Sequence, residues 1–223
     1  MESEFDQLID RYAELAVRVG VNIQPGQWLR LAAPIQAADL ARRIVRKAYE
    51  AGAKDVEVAW GDGLSQRIRL SHAPQASLDE FPGWKLQEAE AILAAGAAFL
   101  TVQAPDPDLL ADVDPQRFGA AQRAAQVATA EFSGKLLNTA SWSGISAATP
   151  EWAARILPNL AGEEGVRELW RRIFAATRVD QPDPVAAWTR HMADLAARSQ
   201  RLADLQLRAL HYRAPGTDLH VRL

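Results

Sequence analysis

A strand, a helix and a second strand follow one another within residues 27–60, and this order constrains the fold more than any other feature of the chain. The strands are QWLRLAAPI and DVEVAW. Between them, QAADLARRIVRKAYEAG carries Leu40, Ile44 and Ala48 at helical spacing, and Gly52 marks its end. Because strands joined by a helical crossover lie parallel in one sheet, this segment predicts a right-handed βαβ unit.

The same alternation continues along the chain. Residues 84–96 and 115–131 are predicted as helices, with a near-continuously apolar strand at 97–104 between them. A weaker strand, diluted by serine and glycine, follows at 141–149, and an amphipathic helix over 4–19 precedes the first strand. We therefore expect an α/β fold, with an open, mainly parallel sheet of about four strands and helices on both faces.

The chain becomes helical after residue 150 and then has two short strands. Helices are predicted over 151–157, 163–177 and 183–205. The last helix has an apolar stripe that we expect to face inward: Val185, Trp188, Met192, Leu195 and Leu202. The strands LRALHYRA and TDLHVRL follow, without a second αβ layer. We divide the chain into an N-terminal α/β domain with a helical extension (1–206) and the start of a second domain (207–223).

The composition argues against several classes of function. The net charge is −3 and the pI is about 5.8, so no basic field favours nucleic acid, and the basic run ARRIVRK at 41–47 is interpreted as a solvated helix face. The chain has no cysteine, which excludes disulfides, thiol nucleophiles and cysteine-ligated metals. Since there is neither a signal-peptide pattern nor an apolar run of about 18 residues, we expect a cytoplasmic protein without membrane contact.

Glycine-rich loops that bind phosphate are missing from the expected places. The turn after the first strand, AAPIQAAD, has no glycine. GDGLSQ at 61–66 has only the first two glycines of a dinucleotide motif, with Gln66 where a small residue is required. We interpret GDGLSQ as a surface turn and expect no nucleotide cofactor.

The four histidines do not form a recognisable metal motif. His191 has Asp194 three residues later, but its position beside the apolar stripe favours a packing or interface role. His211 and His220 lie on the two terminal strands and approach each other if these strands pair, yet without an acidic partner they form an incomplete site. We expect no catalytic, cofactor-binding or metal-binding residue in this chain.

The acidic stretch APDPDLLADVDPQRF at 104–118 brings Asp106, Asp108, Asp112 and Asp114 close together in sequence. Prolines interrupt their spacing, and no glycine supplies the bend of a calcium loop. Helix capping is the preferred interpretation: Asp108 caps a short turn, and Asp114 caps the helix that Pro115 opens.

Neither serine nor tryptophan gives a specific functional pattern. SWSGIS at 141–146 lacks the first glycine of the GxSxG nucleophile motif. The seven tryptophans are interpreted as core and interface residues. The helices around Trp170 and Trp188 and the loop after Trp60 are candidate interaction surfaces.

Several segments, spread over nearly the whole chain, together carry a family resemblance. They are LAVRVGVNIQPGQWLRLAAPIQAADLARRIVRKAYEAGAKDVEVAW, PEWAARILPN, LWRRIFAATRVDQPDPVAAWTRH and YRAPGTDLHVRL. Among these, DPVAAWTRH and PGTDLHVRL are the most specific. The sequence resembles the metal-dependent aminopeptidases of the aminopeptidase T and aminopeptidase S group.

This resemblance implies a metallo-aminopeptidase that removes N-terminal amino acids from peptides. Family members are about twice as long, with a C-terminal domain whose glutamates, histidines and aspartate hold paired divalent metals, commonly zinc or cobalt. No residue here matches a ligand or catalytic position. The resemblance therefore implies a non-catalytic N-terminal portion, inactive alone and without bound metal, that helps to enclose the active-site cavity and contributes to a dimer. TDLHVRL then corresponds to the first strand of the second domain.

Other interpretations stay open. The chain as a free-standing interaction or small-ligand-binding α/β domain is the main alternative, and a nucleotide-dependent enzyme would require a phosphate site at GDGLSQ. If the terminal strands are unpaired, they expose an apolar edge that favours association. Packing of residues 219–223 into the domain's own sheet would contradict their assignment to a second domain.

Overall fold

The computed structural model describes residues 3–160 and 162–223. Its elements follow the alternation that the sequence predicts, with two further helices, at Gly63–His72 and Gln75–Leu78, that the sequence analysis did not predict. A π-helical turn at Ala16–Gly20 extends the first helix, and a 3-10 turn at Ile35–Ala37 precedes the second. The other elements are, in chain order, α1 Glu4–Leu15, β1 Trp28–Pro34, α2 Ala38–Glu50, β2 Asp55–Gly61, α3 Gly63–His72, α4 Gln75–Leu78, α5 Gly83–Ala94, β3 Ala98–Gln103, α6 Pro115–Thr139, β4 Trp142–Ser146, α7 Pro150–Ile156, α8 Gly162–Ala176, α9 Pro184–Asp204, β5 Ala209–Ala214 and β6 Thr217–Arg222.

Strands β1 to β4 form one parallel sheet in the order β2-β1-β3-β4. In its register, Leu31 of β1 lies beside Val58 of β2 on one side and Leu100 of β3 on the other. The first strand, β1, is an inner strand of the sheet. The second, β2, lies on one side of it, and β3 and β4 follow on the other side. The predicted open parallel sheet of about four strands is confirmed.

The main core covers one face of the sheet. Alternate residues of β1, Leu29, Leu31 and Ala33, are buried there, against α1, α2 and α8. The predicted stripe of α2 is confirmed, since Ile44 and Ala48 are fully buried. Burial of these aliphatic side chains is the dominant stabilising contribution, at about 25 cal/mol for each Å² of apolar surface removed from water.

The opposite face is partly covered by α5 and α6, so helices lie on both faces as predicted, while Thr101 and Gln103 of β3 are exposed. Phe99 of β3 meets Phe132 of α6 edge to face, with ring centroids 6.3 Å apart. A small separate core of Leu70, Leu78 and Val113 joins α3 and α4 to the segment before α6. This second core supports the region that follows the carboxyl end of β2.

The basic run at 41–47 is only partly a solvated helix face. Arg43 is mostly buried and donates hydrogen bonds to Asp10 at 2.8 Å, to Asp6 at 2.9 Å and to Asp39 at 3.0 Å. The interpretation was wrong for Arg43, because α1 presents two carboxylates to this face of α2. Arg42 is exposed, as expected.

The expected inward stripe of α9 is wrong over most of its length. Met192, Leu195 and Leu202 are 54%, 43% and 60% exposed, whereas Trp188 is half-buried. The helix packs on α1 and the π-helical turn through its first turns only. Beyond residue 191 it extends away from the described remainder of the domain. The apolar residues there have helical spacing, but no other described element covers them.

The two terminal strands form a hairpin of their own. β5 and β6 pair antiparallel in a separate two-stranded sheet, with the turn at Pro215 and Gly216. Leu219, Val221 and Leu223 are exposed. Residues 219–223 therefore do not pack into the parallel sheet.

Candidate functional site

A cleft of about 500 Å³ lies beside the carboxyl end of β2. Its lining comes from the start of α3, the segment 80–85 at the start of α5, and α6. Open α/β sheets place ligands beyond the carboxyl ends of their strands, so this is the expected edge for a binding site. The size lies in the ordinary range for small-molecule sites, about 300 to 1,000 Å³.

Asp62 determines how the chain turns from β2 into the cleft. Its carboxylate accepts hydrogen bonds from the backbone N–H groups of Leu64 at 3.2 Å and Ser65 at 3.3 Å, and from the Ser65 hydroxyl at 2.5 Å. The bond from Ser65 lowers the pKa of Asp62 below its ordinary value. GDGLSQ is therefore the capped start of α3 and not the surface turn we expected. Since the Asp62 carboxylate occupies this helix start, a phosphate there would meet negative charge.

Four polar side chains line the cleft without a hydrogen bond or ion pair to any residue that the structure describes. Within the described residues, the side-chain polar groups of Gln66, Glu80, Lys85 and Gln122 make neither a hydrogen bond nor an ion pair with other side chains or backbone. The Lys85 ammonium lies 5.5 Å from the ring centroid of the adjacent Trp84. These groups are thus available to a ligand. Apart from Gln66, which was named only as a mismatch to a dinucleotide motif, sequence patterns did not indicate these residues, because they come from separate segments of the chain.

Arg69 adds a further cation to the cleft. Its Nη2 donates to the Ser77 carbonyl at 2.7 Å, which ties α3 to α4. Arg117 of α6 donates from Nε to the Leu70 carbonyl at 2.6 Å and from Nη2 to the Ala73 carbonyl at 2.5 Å. These bonds hold α3 against α6, and so they fix the two walls of the cleft relative to each other.

The terminal hairpin brings two histidines and a carboxylate together. His211 and His220 are directly opposite in the register, with ring centroids 5.3 Å apart. His211 also has the acidic partner that the sequence analysis missed, since its Nε2 lies 2.6 Å from Asp218 Oδ1. Arg213 Nε is 3.2 Å from the same histidine nitrogen. The cross-strand register creates this cluster: the approach of the two histidines was expected if the strands pair, but spacing along the chain gave no sign of the carboxylate.

The described residues do not fit the divalent metal that the family resemblance implies. Among residues 3–160 and 162–223, no group of three or more His, Cys, Asp or Glu side chains is placed to hold a metal ion. His191 packs edge-on against Trp188, with ring centroids 5.4 Å apart, as its predicted packing role requires. His72 is exposed in the last turn of α3.

Capping explains part of the acidic stretch. The Asp114 carboxylate accepts from the N–H of Gln116 at 2.8 Å, which confirms it as the cap of α6. Asp108 does not cap the short turn. Instead, Asp106 accepts from the backbone N–H of Asp108 at 3.1 Å, because its side chain lies two residues before that donor. Asp112 forms an ion pair with Arg67.

In the two tryptophan-rich helices, the indole rings themselves are buried or half-buried, although much of α9 is exposed. Trp170 is buried and stacks on Phe174, with centroids 5.4 Å apart. The Trp188 indole donates to the Thr177 carbonyl at 2.6 Å. Trp60, in contrast, is 47% exposed at the end of β2. Of the candidate surfaces, the region after Trp60 and the part of α9 beyond Trp188, with Met192 and Leu195, are exposed as predicted.

Similarity to known proteins is continuous along the chain. The model of the thermophilic metalloprotease (M29) family matches residues 5–223. The chain belongs to this family. Its resemblance to the aminopeptidase T and S group is thereby confirmed, although the residues that the structure describes contain no cluster able to hold a metal ion. None of the helices described here is long and apolar enough to cross a membrane.

Two relatives within the M29 family illustrate the extent of the match. The chain is 43% identical over 222 residues to Aminopeptidase 2 of Geobacillus stearothermophilus, covering 99% of this chain and 54% of that protein. It is 41% identical over 220 residues to Aminopeptidase T of Thermus aquaticus, covering 98% and 54%. The chain thus spans about half the length of the curated relatives it matches.

A solved M29 structure has the same fold. Wild-type AmpT from Thermus thermophilus superposes with a TM-score of 0.90 at 37% sequence identity. The match covers 98% of this chain and 54% of that one. The parallel sheet, the helical segment and the terminal strands are therefore an arrangement found within the family.

Proposed function

We propose that this chain is the N-terminal, non-catalytic portion of a metallo-aminopeptidase that removes N-terminal amino acids from peptides. The observation that carries the proposal is the extent of the family match. It runs over residues 5–223, while relatives named as aminopeptidases are covered over only 54% of their length. In this proposal, the metal ligands and the catalytic groups lie outside these 223 residues.

We assign residues 1–206 to the N-terminal α/β domain with its helical extension, and 207–223 to the start of a second domain. The separate pairing of β5 with β6 supports this division. So does the exposure of Leu219 and Leu223, since apolar strand residues are ordinarily covered by a further layer. A second domain would supply that layer.

The remaining properties of the whole protein follow the family. Peptides are the proposed substrates, and zinc or cobalt is the proposed metal of the second domain. We propose a homodimer, for which the exposed apolar side chains of Trp60 and Met192 offer contact area. A cytoplasmic location agrees with a sequence without cysteine. The proposed protein acts on neither nucleic acid nor membranes.

One observation favours a second candidate function. The cleft beside β2 has four polar side chains that form no hydrogen bond or ion pair with a described residue, which is typical of a small-ligand-binding domain. This candidate is compatible with the first, because a non-catalytic domain can carry a ligand site of its own.

An activity assay of the 223-residue chain tests the main proposal. The chain is incubated with aminoacyl-anilides and either zinc or cobalt, with full-length Aminopeptidase T of Thermus thermophilus as the positive control. We expect hydrolysis by the control and none by the chain. Turnover by the pure chain would show that its own residues form an active site.

A further inference from the structure

The cleft beside β2 contains charged groups for which the proposed peptidase function has no use. The geometry points to a binding site in this cleft for a free α-amino acid with an apolar side chain, held as its zwitterion. The inference depends on the cleft's own chemistry and not on peptidase activity.

Charges of both signs line the cleft. Lys85 and Arg69 are cationic, and Glu80 is anionic. Lys85 and Glu80 form no ion pair with each other or with any other described residue, so both charges are open to ion pairing with a ligand. A ligand with only a negative charge would be opposed by Glu80, and one with only a positive charge by Lys85. A zwitterion satisfies both side chains through charge-assisted hydrogen bonds.

Neutral polar groups complete the set. The amides of Gln66 and Gln122 each offer a carbonyl oxygen and an NH₂ group, and neither amide has a partner among the described residues. Such groups bind ammonium and carboxylate equally well, because each amide both donates and accepts. Asp62 also lines the cleft, but its oxygens already accept from the start of α3. Glu80 is therefore the carboxylate available for a ligand ammonium.

The apolar part of the lining suits an apolar side chain. It includes Leu70, Phe81, Phe118 and Ala121, from three different elements. A volume of about 500 Å³ holds one amino acid with its hydration. A highly polar ligand, such as a sugar or a nucleotide phosphate, would place its polar groups against these apolar side chains, which is unfavourable. An aliphatic or aromatic amino acid uses both parts of the lining.

Calorimetric titration of the 223-residue chain tests the inference. L-leucine and L-phenylalanine are the probes. For leucine, 4-methylpentanoate lacks the ammonium and 3-methylbutylamine lacks the carboxylate, so each analogue removes one charge. We expect at least one amino acid to bind, and both analogues of leucine to bind at least about tenfold more weakly than leucine, the size of one lost charged hydrogen bond.

Two variants locate the site. Lys85→Gln and Glu80→Gln change exposed side chains, so the fold should be retained, as circular dichroism would verify. Each should weaken amino-acid binding by at least about tenfold. Lys54→Gln is the matched control: it removes an exposed lysine next to the opposite end of β2 and should leave binding unchanged.

Three outcomes would overturn the inference. They are failure of both amino acids to bind, binding of a single-charge analogue as tightly as leucine, and unchanged binding in both cleft variants. None of these outcomes bears on the peptidase proposal, because the titration measures binding to a chain that is expected to be inactive. The two proposals can therefore fail separately.

Discussion

The hydroxyl of Tyr12 exchanges two hydrogen bonds with the backbone of Ser146. It donates to the Ser146 carbonyl at 3.0 Å and accepts from the Ser146 N–H at 3.2 Å. Tyr12 is only 2% exposed, and burial raises its pKa to about 12. Since β4 is an edge strand, this side chain supplies hydrogen-bond partners that a neighbouring strand would otherwise provide, and it fixes α1 to the sheet.

Replacing Tyr12 by phenylalanine should therefore destabilise the domain. Tyr12→Phe leaves the ring in place but removes both hydrogen bonds, and the expected loss is about 1 to 3 kcal/mol. Urea denaturation measures it. Tyr212→Phe is the control, because Tyr212 is exposed and its hydroxyl makes no hydrogen bond to a described residue. Equal stabilities of the two variants would mean that the Tyr12 bonds contribute nothing.

The same tyrosine should make stability fall at alkaline pH. Between about pH 10 and about pH 12, a tyrosine in the unfolded chain loses its proton while folded Tyr12 keeps it. The folded state then binds more protons, so the free energy of unfolding decreases as the pH rises, by on the order of 2 to 3 kcal/mol over the window.

Comparison with Tyr12→Phe isolates this contribution from that of other groups. Denaturation at about pH 8 and about pH 11 should show a smaller loss of stability in the variant than in the natural chain. A loss of the same size in both proteins would contradict a raised pKa for Tyr12.

Replacing Arg43 should destabilise the protein far more than replacing its neighbour Arg42. Arg43→Gln removes bonds to Asp6, Asp10 and Asp39 and leaves partly buried carboxylates without a counter-charge, so we expect a loss of about 2 kcal/mol. Arg42→Gln changes an exposed side chain without a described partner and should lie within about 0.5 kcal/mol of the natural chain. Similar effects of the two substitutions in urea denaturation would argue against the ion cluster.

Two glycine-to-alanine substitutions should have opposite signs. Gly52 ends α2 at a φ of 93°, where a Cβ would lie 3.3 Å from the Cα of Pro25. Gly52→Ala should cost about 1 to 2 kcal/mol. Gly134 lies exposed inside α6 with no atom within 4 Å of an added Cβ, so Gly134→Ala should stabilise by about 0.5 to 1 kcal/mol. Melting temperatures that move in the same direction would contradict this account.

Local patterns predicted the parallel sheet well. The βαβ order predicts that α2 packs on the sheet. Because only one face of α2 is apolar, the sequence also predicts that Ile44 and Ala48 are buried. The apolar pattern did not predict how far along α9 the neighbouring elements bury the helix. Met192, Leu195 and Leu202 have the spacing of a buried stripe but are exposed, since a helical period specifies a face and not the surface that covers it. Likewise, Leu219 and Val221 of β6 alternate as in a half-buried strand but are exposed.

The residues of the candidate cleft could not be predicted from sequence patterns, for a different reason. Gln66 and Gln122 line the same cleft because α3 packs against α6, partly through Arg117, and Glu80 comes from the segment before α5. That packing depends on tertiary contacts with no periodic signature. Asp62 was a local indication, since aspartate is one of the usual N-cap residues at a helix start. Reading GDGLSQ as a capped helix would have placed α3 correctly.

Metal content tests the central claim most directly, namely that these residues are a scaffold without a metal centre. The 223-residue chain would be dialysed against zinc and then cobalt, passed through gel filtration, and analysed for metal beside full-length Aminopeptidase T of Thermus thermophilus. The account predicts that the full-length enzyme retains its ions and the chain retains none. An ion retained by the chain in fixed ratio would contradict it.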